Sequence, residues 1–164
     1  MNQEQLTALF QKLGADDPES WASSQIEEGI PQLARFLFLR QAWRRIVEEG
    51  DSSWIEYALQ RAQTHPNEPY AGVGHALRKL RARGATDEEI TDVVRGMQAQ
   101  VLFSFCYLLE DPCDVEPEVA NVAWALVQVD DDGNVLGNIG GLHESVLQTD
   151  PTGREMRPRG WSAG

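Results

Sequence analysis

Residues 86–111, TDEEITDVVRGMQAQVLFSFCYLLED, constrain this chain more than any other stretch. Thr86 and Glu89 stand in capping-box spacing, where the threonine hydroxyl accepts from an unpaired helix N–H and the glutamate reaches back to the cap. Asp87, Glu88 and Glu89 then fall where the helix dipole favours negative charge. Ile90, Val93, Val94, Met97 and Val101 recur at helical spacing, so the first half has one apolar face. From Val101 to Leu109 nearly every residue is apolar, and a helix that is apolar all round belongs inside a core. Pro112 closes the pattern, because the residue before a proline is pushed out of the α region. The expectation is a central helix over 86–110 whose second half is buried on every side.

Around it the pattern is mainly helical. Residues 2–13 predict a short amphipathic helix stopped by Gly14. Pro18 suits the first turn of a second helix, with Trp21 and Ile26 as its core contacts. Residues 30–49, IPQLARFLFLRQAWRRIVEE, predict the other core helix. On it Arg40, Arg44 and Glu48 have the i, i+4 spacing of a solvated face with local ion pairs. Asp51, Ser52 and Ser53 supply a cap for a helix that ends before Pro66. The stretch HPNEPYAGVG reads as a loop from its prolines and glycines, and 75–83 as a short basic helix. After Pro112, residues 124–129 and 135–139 read as strands about an Asp-Gly turn. The four tryptophans Trp21, Trp43, Trp54 and Trp124 lie among apolar residues and read as core.

The fold class expected is therefore a single-domain helical bundle with a small C-terminal β-hairpin. Residues 1–153 form the domain, and 154–164 a basic, partly disordered tail. At 164 residues the chain can bury a real core, and its 41% hydrophobic and 24% charged content is that of a soluble globule. No apolar run is long enough to cross a bilayer, and the N-terminus has no secretory pattern. Two cysteines do not make a disulfide framework. Cys106 reads as a small core residue, and the setting as a reducing cytoplasm.

Charge carries most of the functional information. Ten acids and no lysine or arginine lie between Arg95 and Arg154, within a net charge of −12. Phosphate binding needs a basic footprint, so nucleic acid is not the expected partner. A basic protein partner is, with Glu116, Glu118, Asp130, Asp131 and Asp132 as the docking acids. The plainer reading is that these acids only keep the protein soluble. Surplus apolar faces on 30–49 and 86–111 leave a homodimer open as well.

The motifs for chemistry are sparse. Asp130, Asp131, Asp132 and Gly133 lack the alternate acids and closing glutamate of a calcium loop, so a turn is expected. Cys106, Cys113 and the three histidines lack zinc spacing, and no metal or cofactor is expected. The most enzyme-like stretch is Gly140-Gly141-Leu142-His143-Glu144-Ser145. The glycine pair could aim backbone N–H groups at an oxyanion beside a histidine, a carboxylate and a hydroxyl. His143, Glu144 and Ser145 are thus the candidate catalytic residues. The plainer reading is a helix cap with a surface histidine.

The C-terminal segment GGLHESVLQTDPTGREMRPRG resembles the end of a group of small acidic bacterial proteins without an assigned activity. In size, acidity and helical pattern the whole chain is similar to bacterial immunity proteins. That resemblance implies a cytoplasmic inhibitor that binds and blocks a toxin. It rests on general character, so no residue roles come with it.

Overall fold

The computed structural model describes residues 1–111 and 116–160. The protein is mainly helical, with one small antiparallel hairpin near the C-terminus. In chain order the described elements are α1 (Gln3–Leu13), α2 (Pro18–Glu27), α3 (Gln32–Trp43), α4 (Ser53–Thr64), α5 (Ala71–Ala82), α6 (Asp87–Leu108), a 3-10 turn (Pro117–Val119), β1 (Val127–Val129), β2 (Val135–Asn138) and α7 (Leu142–Ser145). They gather into two compact units. The first holds Met1–Arg45 and Gln100–Gly164, and the second Ile46–Ala99. The long helix α6 gives its residues 87–99 to the second unit and 100–108 to the first.

In the first unit the core starts at α1 and α2. Asn2 accepts from the Gln5 N–H while Gln5 reaches back to Asn2, and Gly14 ends α1 in the left-handed region at φ 87°. Leu6 and Phe10 then face Trp21, Ala22 and Phe36. Phe10, Trp21 and Phe36 pack with ring centroids 5.4–5.9 Å apart, two of the three pairs edge to face. Rings so placed add about 0.5–1.5 kcal/mol per pair to the burial of their area. Trp43, at the end of α3, donates its indole N–H to the Val146 carbonyl at 3.0 Å and to the Thr149 hydroxyl at 3.1 Å. Those bonds tie the segment after α7 to α3. Beyond it Asp150 is buried, accepting from the Thr152 hydroxyl at 2.7 Å and the Met156 N–H at 2.9 Å. The start of the basic tail is therefore wound about an acid; residues 161–164, where part of its disorder is expected, lie outside the described residues.

In the second unit Ile55, Leu77 and Ile90 form the core, with Trp54 packed against them and its N–H on the Thr91 hydroxyl at 3.2 Å. Gly74 lies inside α5 at its closest approach to α4. A Cβ there would run into the Ala58 carbonyl and the Ala62 side chain. The glycines at 72 and 74 thus belong to a helix and not to the loop expected from them. Arg81 donates to both oxygens of Asp87, at 2.8 and 2.7 Å, and to Glu56 at 2.6 Å. These hydrogen bonds raise its pKa above the ordinary arginine value. The Thr86–Glu89 capping box forms as expected, with bonds of 2.8 and 3.2 Å.

Several expectations are corrected. The helix expected over 30–49 ends at Trp43. Further on, the Val47 N–H donates to Gln98 at 2.8 Å and its carbonyl accepts from Arg95 at 2.9 Å. Those side chains take the place of helical bonds, and the Arg44–Glu48 spacing loses its helix. Ile26 and Trp124 are exposed, while Trp21 and Trp43 are buried. The largest correction concerns α6. Within its 100–108 segment Cys106 alone is buried, at 1% exposure, and Val101, Phe103, Phe105, Tyr107 and Leu108 are all exposed.

An apolar run marks what burial would favour, and in this segment of α6 the fold covers only the side that carries Cys106.

Candidate functional site

The 140–145 stretch folds around one carboxylate. Gly141 takes a left-handed conformation at φ 68° and starts the short helix α7. Glu110, at the end of the α6 segment, accepts from the Gly141 N–H at 2.9 Å, from the Leu142 N–H, and from the His143 N–H at 3.3 Å. It also pairs with His143 Nδ1 at 3.1 Å. The histidine ring lies edge-on to Tyr107 and Phe103, at 5.1 and 6.1 Å between centroids. Glycine at 141 is required twice over, by its positive φ and because a Cβ would strike the Arg35 guanidinium.

Arg35 is buried, and its Nε has no hydrogen-bond partner. Burial pulls its pKa below the usual arginine value, against the opposing pull of Glu144, Glu110 and Glu28. Burial also pushes the Cys106 thiol up to about 11, and the Glu110 charge adds to the effect. At neutral pH that sulfur stays protonated and inert, since the thiolate is the reactive form.

The candidate catalytic residues are therefore placed as follows. His143 faces Glu110, Glu144 is exposed, and Ser145 is buried. Residues two apart on a helical turn do not share a face, so the serine and the histidine point different ways. The N–H groups that an oxyanion would need are held by the chain's own Glu110. What the arrangement does chemically is pin α7 to the end of α6. Sequence reasoning found the donors and missed their acceptor, because Glu110 is 31 residues away from Gly141.

The docking acids separate in the same way. Asp130 accepts from the Asn134 side chain at 2.9 Å, from the Asn134 N–H at 2.8 Å and from the Asp132 N–H at 3.0 Å. These bonds hold its carboxyl below the usual aspartate range, the Asn134 side chain contributing most. Asp130 thus builds the turn between β1 and β2. Asp131 and Asp132 stand exposed at that turn, and Glu116 and Glu118 are exposed at the 3-10 turn. Of the ten acids in the base-free stretch, Glu110, Asp130 and Asp150 serve the fold internally. Asp114 lies outside the described residues.

Apolar side chains are exposed in the same base-free stretch. Val101, Phe105 and Leu108 are 49%, 59% and 45% exposed and lie at i, i+4, i+7 along α6. That spacing puts them in one ridge. Val122 and Trp124 are exposed as well, and the Trp124 N–H donates to the Leu108 carbonyl at 2.7 Å, which fixes the indole at the end of the ridge.

Among the described residues no three His, Cys, Asp or Glu side chains come together as a metal site, and no helix is long and apolar enough to cross a membrane. The chain matches no protein family, no curated protein and no solved structure.

Proposed function

We propose that this protein is a protein-binding module whose docking surface is the exposed Val101–Phe105–Leu108 ridge, with Trp124 at its end and the acids Glu116 and Glu118 near it in the chain. One observation carries the reading: the Val101–Phe105–Leu108 ridge is exposed on a stretch without a single base. Contiguous exposed apolar patches rimmed by polar groups mark interaction sites. Aromatic anchors such as Phe105 and Trp124 supply most of the binding energy in such patches. The acids Glu116 and Glu118, close in the chain to the ridge, set the charge of the partner. It is basic at the rim of the contact and apolar at its centre. Complementary charge speeds the encounter and rejects wrong partners more than it adds affinity.

Immunity-type inhibition of a basic toxin in a bacterial cytoplasm is the finer form of this reading. It is supported by the acidity and by the similarity of general character to immunity proteins. The test is capture from the native host at low salt. Wild type should retain a partner that Phe105→Ser with Leu108→Ser loses, that Glu116→Gln with Glu118→Gln weakens, and that salt elutes. Retention of the same partner by both double variants, at any salt, would overturn the proposal.

A further inference from the structure

The surface just described has a chemical counterpart elsewhere in the same chain. Helix α5 packs Ala71, Gly74 and Leu77 into the core of the second unit. Its other side holds Val73, Ala76 and Leu80, all exposed and at i, i+3, i+7 spacing. Lys79 and Arg83 are exposed beside them. Arg81 does not join this side, because Asp87 and Glu56 hold it. Favourable interaction with the helix dipole accounts for cations near the end of α5. It does not account for Val73 and Leu80 standing in solvent, 47% and 41% exposed.

An apolar stripe beside bases fits an apolar ridge that lies in an acidic, base-free stretch, and both are exposed in a single chain. Resting on the docking role proposed above, we infer that the α5 face of one copy binds the Val101–Phe105–Leu108 ridge of a second copy. Charge decides this pairing against the symmetric ones. Two ridges face to face would set one base-free, acidic stretch against another, and two α5 faces would set Lys79 and Arg83 against the same bases. Like charges across an interface are strongly disfavoured. The head-to-tail contact alone opposes unlike signs, and contacts of that kind build rings or filaments rather than closed two-fold dimers.

The experiment is sedimentation velocity near physiological salt, where screening reaches about 8 Å, over protein concentrations up to about 1 mM. One variant carries Lys79→Glu and Arg83→Glu, the other Phe105→Ser and Leu108→Ser. Far-UV circular dichroism checks that each is folded; Leu80→Ser and Val101→Ser replace any double variant that loses helix. Wild type should associate with rising concentration and each variant alone should stay monomeric. Their mixture should form a dimer and nothing larger, since each variant keeps the face the other lacks. A wild type that stays monomeric, a mixture that stays monomeric, or an α5 variant that associates like wild type would each overturn the inference. If wild type stays monomeric yet captures a basic host partner through the ridge, the inference fails and the docking role stands. If the ridge variant captures that partner as well as wild type does, the docking role fails too.

Discussion

Replacing Glu110 tests how the 140–145 stretch is held. Its side chain is 17% exposed and accepts from three backbone N–H groups and one imidazole nitrogen. In Glu110→Ala the three N–H groups lose their acceptor. A buried donor left without one costs about 1–3 kcal/mol. These are only partly buried, so the low end applies, and the sum is roughly 3 kcal/mol. Arg35 also loses one of its three nearby negative charges. Glu110→Gln keeps one carbonyl acceptor but turns a donor toward donors, and should cost roughly 1.5–2 kcal/mol. His143→Ala removes a single bond and should cost about 1 kcal/mol. For a chain of this size, 1 kcal/mol moves the midpoint of thermal unfolding by about 2–4 °C. Circular dichroism melts should therefore place Glu110→Ala about 6–12 °C below wild type, with Gln and then His143→Ala between. A Glu110→Ala protein melting within about 1 °C of wild type would refute the reasoning, and so would the reverse order of the three.

Other perturbations separate core from surface and fold from charge. Gly74→Ala should destabilise by about 1–3 kcal/mol through overpacking against α4, while Gly72→Ala, facing open space on the same helix, should be neutral or gain up to about 1 kcal/mol; denaturant midpoints of the two compare them directly. Phe105→Asp should stay within about 0.5 kcal/mol of wild type, whereas Phe10→Ala should cost about 3–5 kcal/mol, as urea unfolding will read. Backbone hydrogen bonds from Thr86 and Ser53 hold Glu89 and Asp51 below the usual carboxylate range, and the Asn134 side chain does so for Asp130. Their stabilisation is present above the ordinary carboxylate pKa of about 4 and is lost as pH falls through the depressed values. Melting temperature measured from about pH 6 to about pH 2 should then fall less steeply for Asp51→Asn, Glu89→Gln and Asp130→Asn combined than for wild type.

Local chemistry made much of this fold legible. The Thr86–Glu89 box, the Gly14 stop and the Asp-Gly turn are each settled within a few residues, so their sequence signals hold. The end of α3 was not legible, because Gln98 and Arg95 take the Val47 backbone groups from about fifty residues away. Gly74 reads as a loop glycine until α4 lies against it. The α6 segment misled for a different reason. An apolar run reports what burial would favour, and which of its sides is covered is decided by tertiary contacts that no local pattern records. The candidate site divided in the same way. The N–H donors at 141–143 could be foreseen from the glycine pair, but the carboxylate that fills them could not.

The most direct measurement is photo-crosslinking from position 105, with a benzophenone amino acid in place of Phe105, in the native host. Position 57, also exposed but in the second unit, serves as the control. A discrete crosslinked product is expected from position 105, containing a basic protein or a basic face of a second copy, that fades as salt rises and is missing from position 57. Crosslinks equally strong from both positions, or a product from position 105 unmoved by salt, would contradict it.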